Sequence, residues 1–160
     1  MTTGMRAVCL ISVCLLCLGL AACGGSSGGG SSNRQQIQQT FASMQSAMAK
    51  GDYAGACRWL SQREQAKVVA GAKQAGLNAS DCAGAFSALI KSAGVTKAEL
   101  AQAFGGGQPP KITSVSVHGN QATVTYTSTD NGKTFTETDA LVKEDGSWKA
   151  DRTISRRNGS

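Results

Sequence analysis

The spacing of hydrophobic residues changes twice along this chain. From Ala7 to Leu20 they run almost without interruption, behind a single positive charge at Arg6. From Asn33 to about Phe104 they recur every three or four positions, the period of helix faces. From Lys111 onward they alternate with polar residues, the period of strands. The middle stretch predicts a helix over Asn33 to Lys50, with Ile37, Phe41, Met44 and Met48 on one face and Gly51 as its stop. A short helix follows over Asp52 to Leu60. Ser61-Gln62-Arg63-Glu64 reads as a capping box opening a third helix to about Gln74. Ser80 to Ser92 forms a fourth, with Cys82, Phe86, Leu89 and Ile90 facing inward, and Thr96-Lys97-Ala98-Glu99 caps a last one ending near Phe104. Gly105 to Pro110 is a break.

Three turn signals divide the remainder into four strands: Gly119-Asn120, Asn131-Gly132 and Asp145-Gly146. Counting outward from each as a two-residue hairpin turn sets Val115 opposite Val124, Val117 opposite Ala122, Tyr126 opposite Glu137 and Val124 opposite Asp139. The third hairpin sets Leu141 opposite Ala150, Lys143 opposite Trp148 and Arg152 opposite Asp139. The three counts agree on one apolar face: Val115, Val117, Val124, Tyr126, Phe135, Leu141 and Trp148. The other face carries a threonine ladder, with Thr125 opposite Thr138 and Thr127 opposite Thr136. The predicted fold class is α+β, with N-terminal helices packed on a four-stranded antiparallel meander.

The apolar run at the start is too short to span a membrane. Its charged beginning and small-residue end read as a secretory signal peptide. It closes on Leu20-Ala21-Ala22-Cys23, which resembles the lipobox of bacterial lipoproteins. The resemblance implies cleavage before Cys23, lipid on the Cys23 sulfur, and a protein held at the outer face of the cytoplasmic membrane. The organisation expected from this is a signal peptide over 1–22, Cys23 with a Gly/Ser tether to residue 32, a domain over 33–154 and a flexible tail over 155–160. Residues 24–32, all Gly and Ser, suit such a tether.

The 160 residues carry a net charge of +6, or +5 without the leader. The cations are spread along the chain rather than clustered as a nucleic-acid binder requires, so no nucleic-acid partner is expected. A mild positive charge suits proximity to anionic headgroups or acidic wall polymers. Of six cysteines, Cys9, Cys14 and Cys17 leave with the leader and Cys23 takes the lipid. Cys57 and Cys82 remain as a pair in an oxidising compartment, where a disulfide is the default. The rival reading is a metal site, but two cysteines without nearby His do not complete a zinc shell. No metal and no cofactor are expected.

Helices followed by a meander, with Lys50-Gly51-Asp52-Tyr53-Ala54-Gly55-Ala56-Cys57, Leu60-Ser61, Cys82 and the Asp145-Gly146-Ser147-Trp148-Lys149 hairpin, resemble the nuclear-transport-factor-2-like (cystatin-like α+β cone) lipoproteins common in actinobacteria. The resemblance spans about Asn33 to Thr153 and departs in lacking a short hairpin between the early helices. It implies a pocket between sheet and helices, where the superfamily's isomerases, dehydratases and epoxide hydrolases work. No catalytic motif matches, so no catalytic residue is carried over. The candidate pocket residues are Tyr126, Glu137, Asp139, Arg152 and Trp148. An acid, a base and a tyrosine in such a cone suit proton transfer. The plainer alternative is a cross-strand ion pair between Asp139 and Arg152. Three functions follow: a small-ligand-binding or interaction module without catalysis, an enzyme of the isomerase or dehydratase type around Asp139, or an accessory subunit positioning an envelope protein. His118 reads as a solvated turn residue and Ser61 as a helix cap, with no Gly-x-Ser-x-Gly elbow around it.

Overall fold

A computed structural model describes residues 28–105, 110–130 and 133–158. The leader, Cys23, the Asn131-Gly132 turn and residues 106–109 lie outside the described residues. Five helices come first: α1 (Gly28–Lys50), α2 (Tyr53–Cys57), α3 (Gln62–Gln74), α4 (Cys82–Ser92) and α5 (Lys97–Leu100), the last running into a π-helical turn over Ala101–Gly105. Four strands follow: β1 (Lys111–His118), β2 (Gln121–Asp130), β3 (Lys133–Glu144) and β4 (Ser147–Asn158). They form one antiparallel sheet in the order β1-β2-β3-β4.

Helices α2 to α5 each start with a side chain answering orphan backbone N–H groups. Asp52 accepts from the Gly55 N–H at 2.8 Å and Asp81 from the Gly84 N–H at 2.8 Å. At Gly55 a Cβ would strike the capping Asp52 carboxylate. Thr96 and Glu99 complete a reciprocal capping box. Ser61 makes half of one, accepting from the Glu64 N–H at 3.1 Å. The Glu64 carboxylate instead meets Lys67 at 3.0 Å.

The first two hairpin registers are those expected: Val115 opposite Val124, Val117 opposite Ala122, Tyr126 opposite Glu137 and Val124 opposite Asp139. Asp130 pairs with Lys133, which leaves two residues for the connection between β2 and β3. At the β3–β4 turn Asp145 and Gly146 both have positive φ, 50° and 75°, as a type I′ turn requires. Ile37 and Phe41 of α1 pack on Ile112, Ala122, Val124, Tyr126, Leu141 and Trp148, so α1 covers this face of the sheet. Trp148 is 1% exposed, its Nε1 donates to Asn33 Oδ1 at 3.3 Å, and its carbonyl accepts from Thr40 Oγ1 at 3.0 Å.

The chain departs from the expected organisation in three places. The second helix ends at Cys57 rather than near Leu60, because Trp59 to Ser61 leave it to pair in parallel with β4. The Ser61 N–H donates to the Ala150 carbonyl and the Ala150 N–H to the Trp59 carbonyl, each at 2.8 Å. This covers part of an edge that would otherwise offer free backbone groups. The helix α1 begins at Gly28, inside the stretch expected as tether, with Asn33 and Arg34 tied to Trp148 and to the Ile112 carbonyl instead of starting the helix. Residues 155–158, expected as tail, belong to β4, because β3 is long enough to pair Phe135 with Asn158.

Cys57 and Cys82 form the expected disulfide, joining the end of α2 to the first residue of α4.

Candidate functional site at the end of the covered sheet face

The β3–β4 register holds as far as Leu141 opposite Ala150, and then β4 bulges twice. Asp151 is the extra residue of the first bulge. It accepts from Ser61 Oγ at 2.8 Å and pairs with Arg63, so the entry to α3 pulls it out of the ladder. Ile154 is the extra residue of the second and is 51% exposed. A single bulge inverts which side chains face inward, and a second restores the phase. The expected pairing of Arg152 with Asp139 is therefore wrong: Arg152 lies opposite Ala140 and Thr153 opposite Asp139. The inward cation is Arg156, opposite Glu137.

Tyr126, Glu137 and Asp139 come together as the register implied. Tyr126 Oη donates to Asp139 Oδ2 at 2.7 Å and lies 3.1 Å from Glu137 Oε2. Ser128 Oγ donates to Glu137 Oε1 at 2.7 Å, and Arg156 Nε stands 3.4 Å from the same oxygen. The Arg156 guanidinium also lies 4.0 Å from the Phe135 ring centroid. Side-chain exposure climbs from buried Asp139 through Glu137, 15% exposed, to Arg156, 46% exposed. The cluster thus leads from the core to solvent along one face. Trp148 shares that face but sits further in, beneath α1, as a core residue.

Sequence reasoning missed Ser128, Thr153 and Arg156. Ser128 was recoverable, since the hairpin count puts it opposite Phe135 on the inner face, diagonal to Glu137. Thr153 and Arg156 were not, because the first bulge answers contacts with Ser61 and Arg63, remote in sequence from β4.

Burial pushes the Tyr126 phenol up, with the Asp139 charge adding to it, so Tyr126 keeps its proton and acts as a donor. Burial also raises the Asp139 carboxyl, against the opposing hydrogen bond from Tyr126 and the lowering influence of the facing Thr153, and Glu137 and Glu64 add to the rise. Asp139 Oδ1 is buried and has no hydrogen-bond partner among the described residues. A buried acceptor left unpaired is costly, and most such atoms in folded proteins find a partner. Tyr126 has one hydroxyl hydrogen, so it donates to Asp139 Oδ2 or to Glu137 Oε2 and ties the two carboxyls together through one phenol.

A separate open groove of about 420 Å³ lies between α1 and α2, lined by Ser43, Ser46, Lys50, Asp52, Arg58 and Trp59 among others. None of the residues expected from the sequence lines it. Among the described residues, no group of three or more His, Cys, Asp and Glu could hold a metal ion.

Fold and site together define an α+β protein with helices over one face of an antiparallel meander and a tyrosine–carboxylate cluster at the end of that face. No protein-family model matches the chain, and no curated protein matches it. Among solved structures, it is similar to a protein of Silicibacter pomeroyi described as an NTF-2-like protein of unknown function. The two are 16% identical, with a TM-score of 0.47, over 81% of this chain and 98% of that one.

Proposed function

We propose that this protein is a lipid-anchored, extracytoplasmic module of the nuclear-transport-factor-2-like type that binds a small polar ligand at Tyr126, Glu137 and Asp139. The observation that carries the reading is the buried Asp139 Oδ1, which has no partner among the described residues. A ligand group with a hydrogen to donate, a hydroxyl or an ammonium, would complete it. The rise in exposure toward Glu137 and Arg156 supports entry from that end. The order of helices and meander supports the family reading.

The test is native mass spectrometry of the protein purified from an exporting host, beside the Asp139→Asn variant. A non-covalent adduct is expected on the wild type, with occupancy reduced about tenfold in the variant, the loss of one charge-assisted hydrogen bond. Bare protein in both spectra overturns the ligand reading. The same variant has a stability signature with a definite sign. A carboxyl whose pKa is raised on folding contributes stability at low pH and loses it as pH climbs through the folded value. The Asp139 carboxyl is raised in this way. Wild-type stability, relative to Asp139→Asn, is therefore expected to fall as pH climbs from about 4, the ordinary carboxyl value, toward about 7. Urea denaturation at those two ends of the range reads the difference directly, and a constant difference would refute it.

The raised Asp139 carboxyl and its contact with Tyr126 favour one second reading, an enzyme moving a proton in an isomerisation or dehydration. It separates from the first in that Asp139→Asn would abolish turnover of whatever the adduct identifies.

The anchor has its own test. Cys23→Ser is expected to move the protein from the membrane pellet to the soluble fraction almost completely, since it removes the thiol that carries the lipid. Retention in the pellet after a high-salt wash would sink the anchor.

A further inference from the structure

The face of the sheet turned away from α1 is built differently from the covered one. Across the four strands, one row reads Ser114, Thr125, Thr138 and Ser155. The next reads Lys111, Thr127, Thr136 and Arg157, and a third, Ser116, Thr123 and Ala140, ends on Arg152. Every side chain in these rows is exposed or half-buried. No acid stands in the first two rows, and in the third the Asp151 carboxylate stands 4.0 Å from Arg152. In the same phase, Glu144 lies at the far hairpin, where its carboxylate accepts from the Gln62 N–H. Lys111 and Arg157, at the two ends of one hydroxyl row, make no ion pair among the described residues.

We propose that this outer face is a docking surface for an acidic polysaccharide. Hydroxyls both donate and accept, which matches the hydroxyls of sugar rings, and cations at the row ends match carboxylate or sulfate substituents. The charge complementarity has a geometry. Rows across a sheet step by about 4.8 Å per strand, so Lys111 and Arg157 bracket about 14 Å of continuous hydroxyl surface. Threonine side chains are stiff at χ1, so little rotamer freedom is lost on contact. Thr125 Oγ1 and Thr138 Oγ1 already sit 3.2 Å apart, and Thr113 Oγ1 donates to the Thr125 carbonyl at 3.0 Å, which holds the middle row in place. The aromatic anchors that protein interfaces use are missing from these rows, since Tyr126, Phe135 and Trp148 point to the other face. The surface is independent of the Asp139 cluster on the covered face.

The experiment uses the full chain, expressed with its leader and purified as the host processes it. The probes are polygalacturonate, dextran sulfate and neutral dextran. Retention on at least one acidic polymer and none on neutral dextran is expected. Both Lys111→Gln/Arg157→Gln and Thr127→Val/Thr136→Val should weaken that binding tenfold or more. Valine keeps the β-branched shape, so the second pair leaves the sheet intact and removes only hydroxyls. Binding that falls in the charge variant but is unchanged in the threonine variant reduces the effect to net charge and overturns the proposal. Failure on both acidic polymers overturns it too, as does equal retention on neutral dextran.

Discussion

Trp148→Ala is expected to destabilise the fold by about 3–5 kcal/mol, the range for removing a large aromatic side chain from a packed core. The indole is 1% exposed and packed with Ile37, Val124 and Leu141 beneath α1. Its loss leaves a void that neither α1 nor the sheet closes easily. The helix is pinned on both sides of that void, through Thr40 to the Trp148 carbonyl and through Arg34 to the Ile112 carbonyl. The Asn33 side chain would also lose its donor. Against a typical total of about 5–15 kcal/mol, such a loss takes about a fifth or more of the stability. In a chain of this size the melting temperature should fall by about 10–20 °C. Trp148→Phe, which keeps most of the volume and drops the N–H bond, should cost about 1–2 kcal/mol. Urea denaturation of the two variants gives both numbers. A Trp148→Ala loss below about 1 kcal/mol would mean that the residue lines open space rather than the core, and would move the ligand site inward under α1.

The same residue shows how far the sequence carries. Counting outward from Asp145-Gly146 places Trp148 on the inner face, and it lies there. Turn chemistry sets register locally, so the three hairpin counts hold wherever each pair depends only on its own turn. Helix caps are legible for the same reason, since Ser61 and Thr96 act within three residues of themselves. What fails is long-range. The first β4 bulge depends on Ser61 and Arg63, and no period within β4 announces either bulge. Two residues change roles as a result. Arg152, expected as the base facing Asp139, stands on the opposite face. Arg156, to which the sequence pattern gives no role, is the cation that meets Glu137 and covers Phe135. The second helix is shorter than its pattern implies for a related reason, because the residues of its expected last turn pair with the β4 edge.

The Asp139 cluster carries a conflict that fits a binding role better than a structural one. A residue selected for packing at this position would be apolar, as Val124 opposite it is. A buried carboxyl with one oxygen unpaired costs stability, and a charged partner could have neutralised it. The available cation, Arg156, is committed instead to Glu137, nearer to solvent. Local conflicts of this sort concentrate at functional sites, which supports the proposal that a ligand meets the acid at the bottom.

Removing the disulfide in a Cys57→Ala/Cys82→Ala double variant is expected to cost about 3–4 kcal/mol, the loop-closure entropy for two cysteines 25 residues apart. The position of the bridge makes this larger than a surface staple. Both cysteines are buried, 6% and 5% exposed, against Leu60, Met44, Val68 and Phe86. Leu60 is in turn the residue that bridges to Ala150 on β4. The cross-link therefore fixes α2 against α4 at the point where the helical layer is sewn to the sheet edge. Alanine at both sites also shrinks that cluster, so the entropic loss and a packing loss act in the same direction. The two separate by experiment. Reductant applied to the wild type removes the cross-link and keeps both sulfurs, so its effect isolates the loop contribution. The double variant should lose at least as much, and its denaturation midpoint should be indifferent to reductant. A wild type whose midpoint does not move on full reduction, checked by thiol titration, would mean that the contacts around Leu60 close the α2–α4 loop without the bond.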